Sequence, residues 1–210
     1  MFFLPISCLL LLIFAIFPFL FFLPIAIIQT AFVKLGLSPE AGFLIFMLSL
    51  LGSTINIPLN KRTRVRFYWG IPEVEEFIIS INVGGAIIPI ALVIYLLLLP
   101  DTPIISVVIT TLIMIIICKL LAKPVRGLGI ALPAFIPPLL SAVLAMIFAY
   151  YNPPRVAYIS GVLGTLIGAD ILNLHKVERI GGNMLSIGGA GVFDGIYLTG
   201  LVACLLAFKP

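Results

Sequence analysis

Seven apolar stretches, separated by short polar loops, constrain this chain more than any other feature. An α-helix needs about 20 apolar residues to cross a bilayer, and most of the stretches approach that length. With 62% hydrophobic residues, 10% charged residues and a mean hydropathy of +1.31, the chain is too apolar for a soluble domain, whose apolar share is roughly 45–50%. We therefore expect an integral membrane protein. The stretches cover roughly residues 6–33, 41–58, 77–99, 103–122, 130–150, 155–174 and 186–207.

The spacing of the stretches predicts an all-α fold, a polytopic transmembrane helix bundle of about seven spans. The short loops leave no room for a second domain, so residues 1–210 are expected to form a single transmembrane domain. The first stretch carries Pro18 and Pro24, which are compatible with one kinked helix or with a helical hairpin. The second turns polar at Ser53 and Asn56, so it is expected to stop partway or to bury that end against other helices.

Lys and Arg residues cluster on one side of this predicted topology. Because cytoplasmic loops carry an excess of Lys and Arg, that side is expected to be cytoplasmic, and membrane lipids are the expected partners. The positive charge therefore indicates orientation, and we expect no nucleic-acid partner. Nine of the twelve cationic residues lie on this side: Lys61, Arg62, Arg64, Arg66, Lys119, Lys123, Arg126, Lys176 and Arg179.

The loop at residues 60–76 is the sizeable polar segment of the chain. Charged side chains alternate with bulky apolar ones over Thr63–Trp69, and the turn-forming residues Gly70 and Pro72 follow. This pattern predicts a small interfacial strand or hairpin. Trp69 beside arginines suits the lipid headgroup region. The loop is interpreted either as an interfacial anchor or as a strand edge that receives an extended peptide.

Two aspartates, Asp170 and Asp194, are the acidic residues that fall inside the apolar stretches. A carboxylate at bilayer depth costs from about 3 to more than about 10 kcal/mol, so it normally faces a polar interior and a partner. The sixth stretch runs toward the cytoplasm and the seventh starts there, which predicts that the two carboxyl groups meet near that face. Glycines of the sixth stretch are expected to let the seventh approach closely: Gly161, Gly164 and Gly168. Each aspartate is alternatively a local helix cap.

Two neighbouring carboxylates tend to share one proton and can divide the roles of general base and general acid around a water. We therefore predict Asp170 and Asp194 as catalytic residues of a hydrolase that cleaves a transmembrane peptide. The cysteines lack metal-type spacing, and we expect neither a metal nor a cofactor. The predicted substrate-binding residues are Asn82, Pro133, Asn173, Gly191 and Gly195.

Prolines and asparagines interrupt several apolar stretches and support a second function. Broken helices with buried amides and carboxylates are what a transporter uses to bind an ion or a small solute. A proton- or ion-coupled transporter that uses Asp170 and Asp194 is therefore the alternative. A membrane scaffold without chemistry is a third possibility, and the sequence does not reveal the oligomeric state.

Two resemblances accompany these patterns. The order of the aspartates on a sixth and a seventh segment resembles the intramembrane aspartyl proteases of the presenilin and signal-peptide-peptidase type. Those families carry Tyr-Asp and Gly-x-Gly-Asp, whereas this chain has Ala169 before Asp170 and Phe193 before Asp194. The runs GSTINIPL, INVGGAIIP, GADILNL and GGAGVFDGIYLTG resemble a prokaryotic multi-spanning membrane protein family, the domain of unknown function DUF1614. The second resemblance implies location in the cytoplasmic membrane of a prokaryote and implies no activity.

Overall fold

Helices and strands alternate in the computed structural model, which describes residues 23–69, 71–125, 129–176, 184–189 and 194–208. The helices are α1 (Leu23–Lys34), α2 (Pro39–Gly52), α3 (Val83–Leu98), α4 (Ile104–Leu121), α5 (Ile136–Phe148), α6 (Pro153–Lys176) and α7 (Gly195–Leu206). The strands are β1 (Asn56–Tyr68), β2 (Ile71–Asn82), β3 (Lys123–Val125), β4 (Gly129–Ala131) and β5 (Met184–Ile187).

The all-α prediction is wrong, because the strands form two sheets. Strands β1 and β2 pair antiparallel, and β5 pairs parallel with the end of β2, giving the order β1-β2-β5. Strands β3 and β4 form a separate antiparallel pair. The predicted hairpin in the polar loop is present but much longer, since it takes residues from the second and third apolar stretches. Hydropathy alone does not distinguish a short apolar run in a strand from one in a helix.

The prediction of seven spans is also wrong. Among the described helices, α4 and α6 are long and apolar enough to cross a membrane. Helices α1 and α2 are bent by 114° at their junction and add a third span if they count as one. The shorter helices α3, α5 and α7 lose length because strands and loops occupy the ends of their apolar stretches. These helices identify a membrane protein.

Helix α6 is the central element of the helix assembly. In its most apolar 18-residue segment 72% of the residues are buried, compared with 28% in α4. It contacts α4, α5 and α7. The glycines of α6 divide between two neighbours. A Cβ at Gly164 would lie 2.5 Å from Met114 Cβ on α4, whereas one at Gly161 would lie 3.1 Å from Thr199 Cγ2 on α7. The close approach predicted toward α7 is therefore correct for Gly161, while Gly164 faces α4.

Polar contacts mark the two ends of the helix assembly. At one end, Lys34 Nζ donates a hydrogen bond to Ala207 O at 3.1 Å, which joins the end of α1 to the end of α7. At the other end lie the hairpin, β5 and the start of α7. Gly129 brings β4 to this same end, since a Cβ there would lie 3.5 Å from Leu185 Cδ1 on β5. The aspartates are found at this second end.

Candidate functional site

Asp194 is the residue that caps the start of α7. Its Oδ1 accepts a hydrogen bond from the backbone N–H of Ile196 at 2.8 Å. An aspartate at this position stabilises a helix, because the carboxylate satisfies a free N–H and complements the helix dipole. The seventh stretch was expected to become helical near Ser186, but residues 184–187 form β5 instead. Asp194 therefore lies at the end of α7 and not within it.

Asp170 lies where α6 departs from regular α-helical geometry. The segment Thr165–Asp170 is π-helical and is followed by a 3₁₀ turn at Ile171–Asn173. π-Helical turns are rare in proteins, and those that occur are frequently found at functional sites. The Asp170 carboxyl group lies near the backbone N–H of Gly188 and within electrostatic range of Asp194. The structure thus brings the two aspartates and Gly188 together.

Asn173 lies one turn after Asp170 and is fully buried. Its Nδ2 donates hydrogen bonds at 3.0 Å to Gly168 O and to Ala169 O, which holds the distorted end of α6. Among the residues that the structure describes, its Oδ1 has no hydrogen-bond partner. A buried polar atom without a partner is rare and costly, so it is a candidate contact for a water or a substrate group.

Cys118 and Thr165 form the wall of the site on α4 and α6. Their side chains lie 3.9 Å apart, with Cys118 fully buried and close enough to Asp170 to interact with it electrostatically. Within the described part of the chain, His, Cys, Asp and Glu side chains form no group of three that would hold a metal ion.

A cavity of about 80 Å³ opens beside Asp194. Pro133 and Gly195, both predicted to bind substrate, line it together. A Cβ at Gly195 would lie 3.6 Å from Thr165 Cγ2 and 3.8 Å from Leu132 Cδ2, so a methyl group there would make ordinary van der Waals contacts. Thr199, one turn along α7, is the lining residue with a polar side chain. The lining residues are Leu132, Pro133, Ala134, Gly195, Leu198 and Thr199.

Asn82 occupies a different position from the one expected for a substrate ligand. It is fully buried at the end of β2, where its Nδ2 donates to Ser53 O at 2.7 Å and to Asn56 Oδ1 at 3.1 Å. These hydrogen bonds to the protein favour a structural contact over a direct contact to substrate. Gly191, the remaining predicted residue, lies outside the described residues.

Sequence reasoning did not place Gly188 beside Asp170, although this glycine takes a φ of +68° at the turn that follows β5. A glycine is favoured in that left-handed conformation, and GG pairs are turn signals, so the run SIGGAG contained a usable signal. It also missed Ser186, because a lone serine in an apolar run carries no pattern. The apolar helices, with their polar end around Asp170 and Asp194, define a helical membrane protein that carries an accessory sheet.

Residues 50–206 match the family described as protein of unknown function (DUF1614). The match covers most of the chain, and the chain belongs to this family. No curated protein and no solved structure matches it.

Proposed function

We propose that this chain is a multi-pass protein of a prokaryotic cytoplasmic membrane that hydrolyses peptide bonds within the bilayer. Asp170 and Asp194 are the catalytic residues in this proposal, and a transmembrane peptide is the substrate. The single observation that carries it is that the two carboxyl groups lie at the same polar end of α6 and α7, close enough to interact electrostatically. Two carboxylates that share a site tend to hold one proton between them, which would suit the pair to activate a water and to protonate a leaving amine.

The cavity beside Asp194 supports the same proposal. It is open, mostly apolar and lies between the start of α7 and the segment around Pro133. A peptide bond held at the aspartates would have a neighbouring side chain close to this cavity, because Gly195 follows Asp194 directly. Its volume of about 80 Å³ suits a small aliphatic side chain.

The free edge of β1 supports the binding of an extended peptide. Within the described residues β1 pairs only with β2, so its outer edge has no strand partner. An extended peptide can add to such an edge through main-chain hydrogen bonds.

The test of hydrolysis uses Asp170→Asn and Asp194→Asn in purified protein reconstituted with a fluorogenic transmembrane peptide. Asparagine keeps the shape of the side chain and cannot exchange the shared proton. Each variant should lose cleavage by at least about 10³-fold, and the double variant should be no worse than either single one. Asp101→Asn, in the exposed loop between α3 and α4, is the matched control and should cleave normally.

Near-normal cleavage by either single variant would overturn the assignment of the pair. Wild-type protein that cleaves no transmembrane peptide across a panel of sequences and pH values would overturn hydrolysis itself. A change in thermal stability shared by both variants and by Asp101→Asn would identify a folding effect, so the stability of each is measured alongside.

A proton- or ion-coupled transporter is the second candidate, favoured by buried polar atoms that have no hydrogen-bond partner in the described part of the chain. These are Thr111 Oγ1 on α4, Asn173 Oδ1 on α6 and Tyr197 Oη on α7. Transporters place such groups along broken helices at the solute site. Uptake driven by a pH gradient in proteoliposomes, lost in Asp194→Asn and without cleavage, would support transport. The absence of uptake for every solute in a panel would count against it.

A further inference from the structure

Three polar side chains, one fully buried and two partly buried, join the hairpin to β5 close to the aspartates. We call Asn56, Asn82 and Ser186 the asparagine–serine cluster. Asn56 Oδ1 accepts hydrogen bonds from Asn82 Nδ2, at 3.1 Å, and from the Ser186 hydroxyl. The cluster therefore ties β1 to β2 and to β5 at one point, between residues 130 positions apart in sequence.

Asn82 extends the cluster into the first turn of α3. Its Oδ1 accepts a hydrogen bond from the Gly85 backbone N–H at 2.8 Å, which caps the π-helical turn Val83–Ile87. The Ser49 hydroxyl of α2 donates to Gly84 O in the same turn. The turn is thus fixed from two directions, by a capping amide and by a neighbouring helix.

Gly188 lies against this fixed turn, two residues after Ser186. A Cβ at Gly188 would lie 2.8 Å from Ala86 N and 2.8 Å from Ala86 Cβ, so the two backbones are in close contact. The Gly189 N–H donates to Ser186 O at 3.2 Å, so Ser186 and Ala86 both hold the turn that contains Gly188. The Gly188 N–H is the backbone group that interacts with the Asp170 carboxyl group.

We infer that the asparagine–serine cluster positions the Gly188 N–H at Asp170 and thereby sets the orientation of the aspartate pair. Its members act through β5 and Gly188 and do not contact the reacting atoms, so they are positioning residues. The effect expected on cleavage rests on the proposed function. The effect expected on hydrogen exchange of the Gly188 amide does not depend on that function.

The kinetic test compares Ser186→Ala and Asn56→Ala with wild-type protein on the same transmembrane peptide. Displacing a catalytic group slightly can cost about 10²-fold in rate, so kcat should fall about 10- to 100-fold while KM changes little. Ser186→Thr keeps the hydroxyl group and should retain the wild-type kcat. The kcat of the double variant Asn56→Ala/Ser186→Ala should be no lower than that of the less active single variant, because both substitutions break the same connection.

Ser141→Ala is the matched control. Ser141 Oγ lies 2.9 Å from Ser160 Oγ between α5 and α6, and the residue is fully buried, so this variant loses a hydrogen-bonded hydroxyl group that is more buried than that of Ser186. It should keep the wild-type kcat. An equal loss of kcat in Ser141→Ala would show a general folding effect and would overturn the inference.

Hydrogen exchange of the Gly188 and Gly189 amides provides a readout that does not depend on cleavage. Both amides should lose protection in Ser186→Ala and Asn56→Ala and should keep it in Ser141→Ala. Unchanged exchange in both cluster variants overturns the inference whether or not the protein cleaves peptides. Lost protection together with a wild-type kcat overturns the positioning role. If the wild-type protein cleaves nothing, the proposed function fails and exchange alone decides this inference.

Discussion

Arg155 Nη1 donates a hydrogen bond to the Thr102 hydroxyl at 3.1 Å, and Thr102 Oγ1 donates in turn to Leu96 O near the end of α3. Arg155 Nη2 lies 3.4 Å from Leu35 O, just after α1. The arginine is 8% exposed, and within the described residues no carboxylate pairs with it. The guanidinium instead lies at the carbonyl ends of two helices, where the helix dipole favours a positive charge.

Replacing Arg155 with alanine should lower the free energy of unfolding by about 1–3 kcal/mol, because Leu35 O and Thr102 lose a buried partner. Thermal or denaturant unfolding in detergent measures this. Lys123→Ala, at an exposed position, should change stability by less than about 0.5 kcal/mol. Equal stability of Arg155→Ala and wild type would show that the guanidinium does not hold the helix ends.

Gly164→Ala should destabilise the protein by about 1–3 kcal/mol, since the added methyl group would lie 2.5 Å from Met114 Cβ and must force α4 and α6 apart. The unfolding midpoint of the purified variant measures the effect. Gly195→Ala is the control with the same chemical change, because its methyl group meets only ordinary contacts of 3.6 and 3.8 Å. Equal loss in both variants would contradict a specific close approach of the two helices.

Gly195→Ala also tests the cavity as a binding site for a substrate side chain. The variant should fold normally yet lose cleavage of peptides with bulky residues near the cut site, because the methyl group fills part of the cavity. Leu198→Ala enlarges the same cavity and should shift preference toward larger side chains. Competition between peptides with alanine and leucine at each position measures the preference. The same preference in wild type and both variants would exclude the cavity from recognition.

The orientation predicted from the cationic residues should be visible by labelling. Single cysteines at Thr63 and Val125, in a background without Cys8, Cys118 and Cys204, should be shielded from an impermeant reagent added outside cells. A cysteine at Asp101, in the loop at the other end of α4, should react. Labelling of Thr63→Cys or Val125→Cys from outside would show that the orientation is the reverse of the predicted one.

The sequence predicted the membrane character and the hairpin but not the sheets as a whole. Ile78, Ile79 and Ile81 lie in a continuous apolar run that length and hydropathy favoured as helix, yet they belong to β2 and pair with β5. Strand pairing between residues about 100 positions apart is set by tertiary contacts that no local pattern records. The start of α7 was misplaced for the same reason, since Ser186 joined a sheet.

The candidate site was partly accessible to sequence reasoning. Asp170 and Asp194 stood out because charge is expensive in apolar segments, and Pro133 and Gly195 do line one cavity. Asn82 was noticed as a polar interruption, but its buried hydrogen bonds depend on Ser53 and Asn56, whose positions follow only from the fold. Whether these residues bind or cleave a substrate stays a prediction.

The π-helical segment Thr165–Asp170 has a consequence for how the protein can evolve. Adding one residue to a helix turns everything after it by about 100° about the helix axis, so the direction of Asp170 depends on a local irregularity. Removing Ile167 should restore a regular and more rigid helix while pointing Asp170 away from Asp194. Selection for a stiffer helix would then oppose selection for the aspartate contact, and the irregularity should persist only in chains that need that contact.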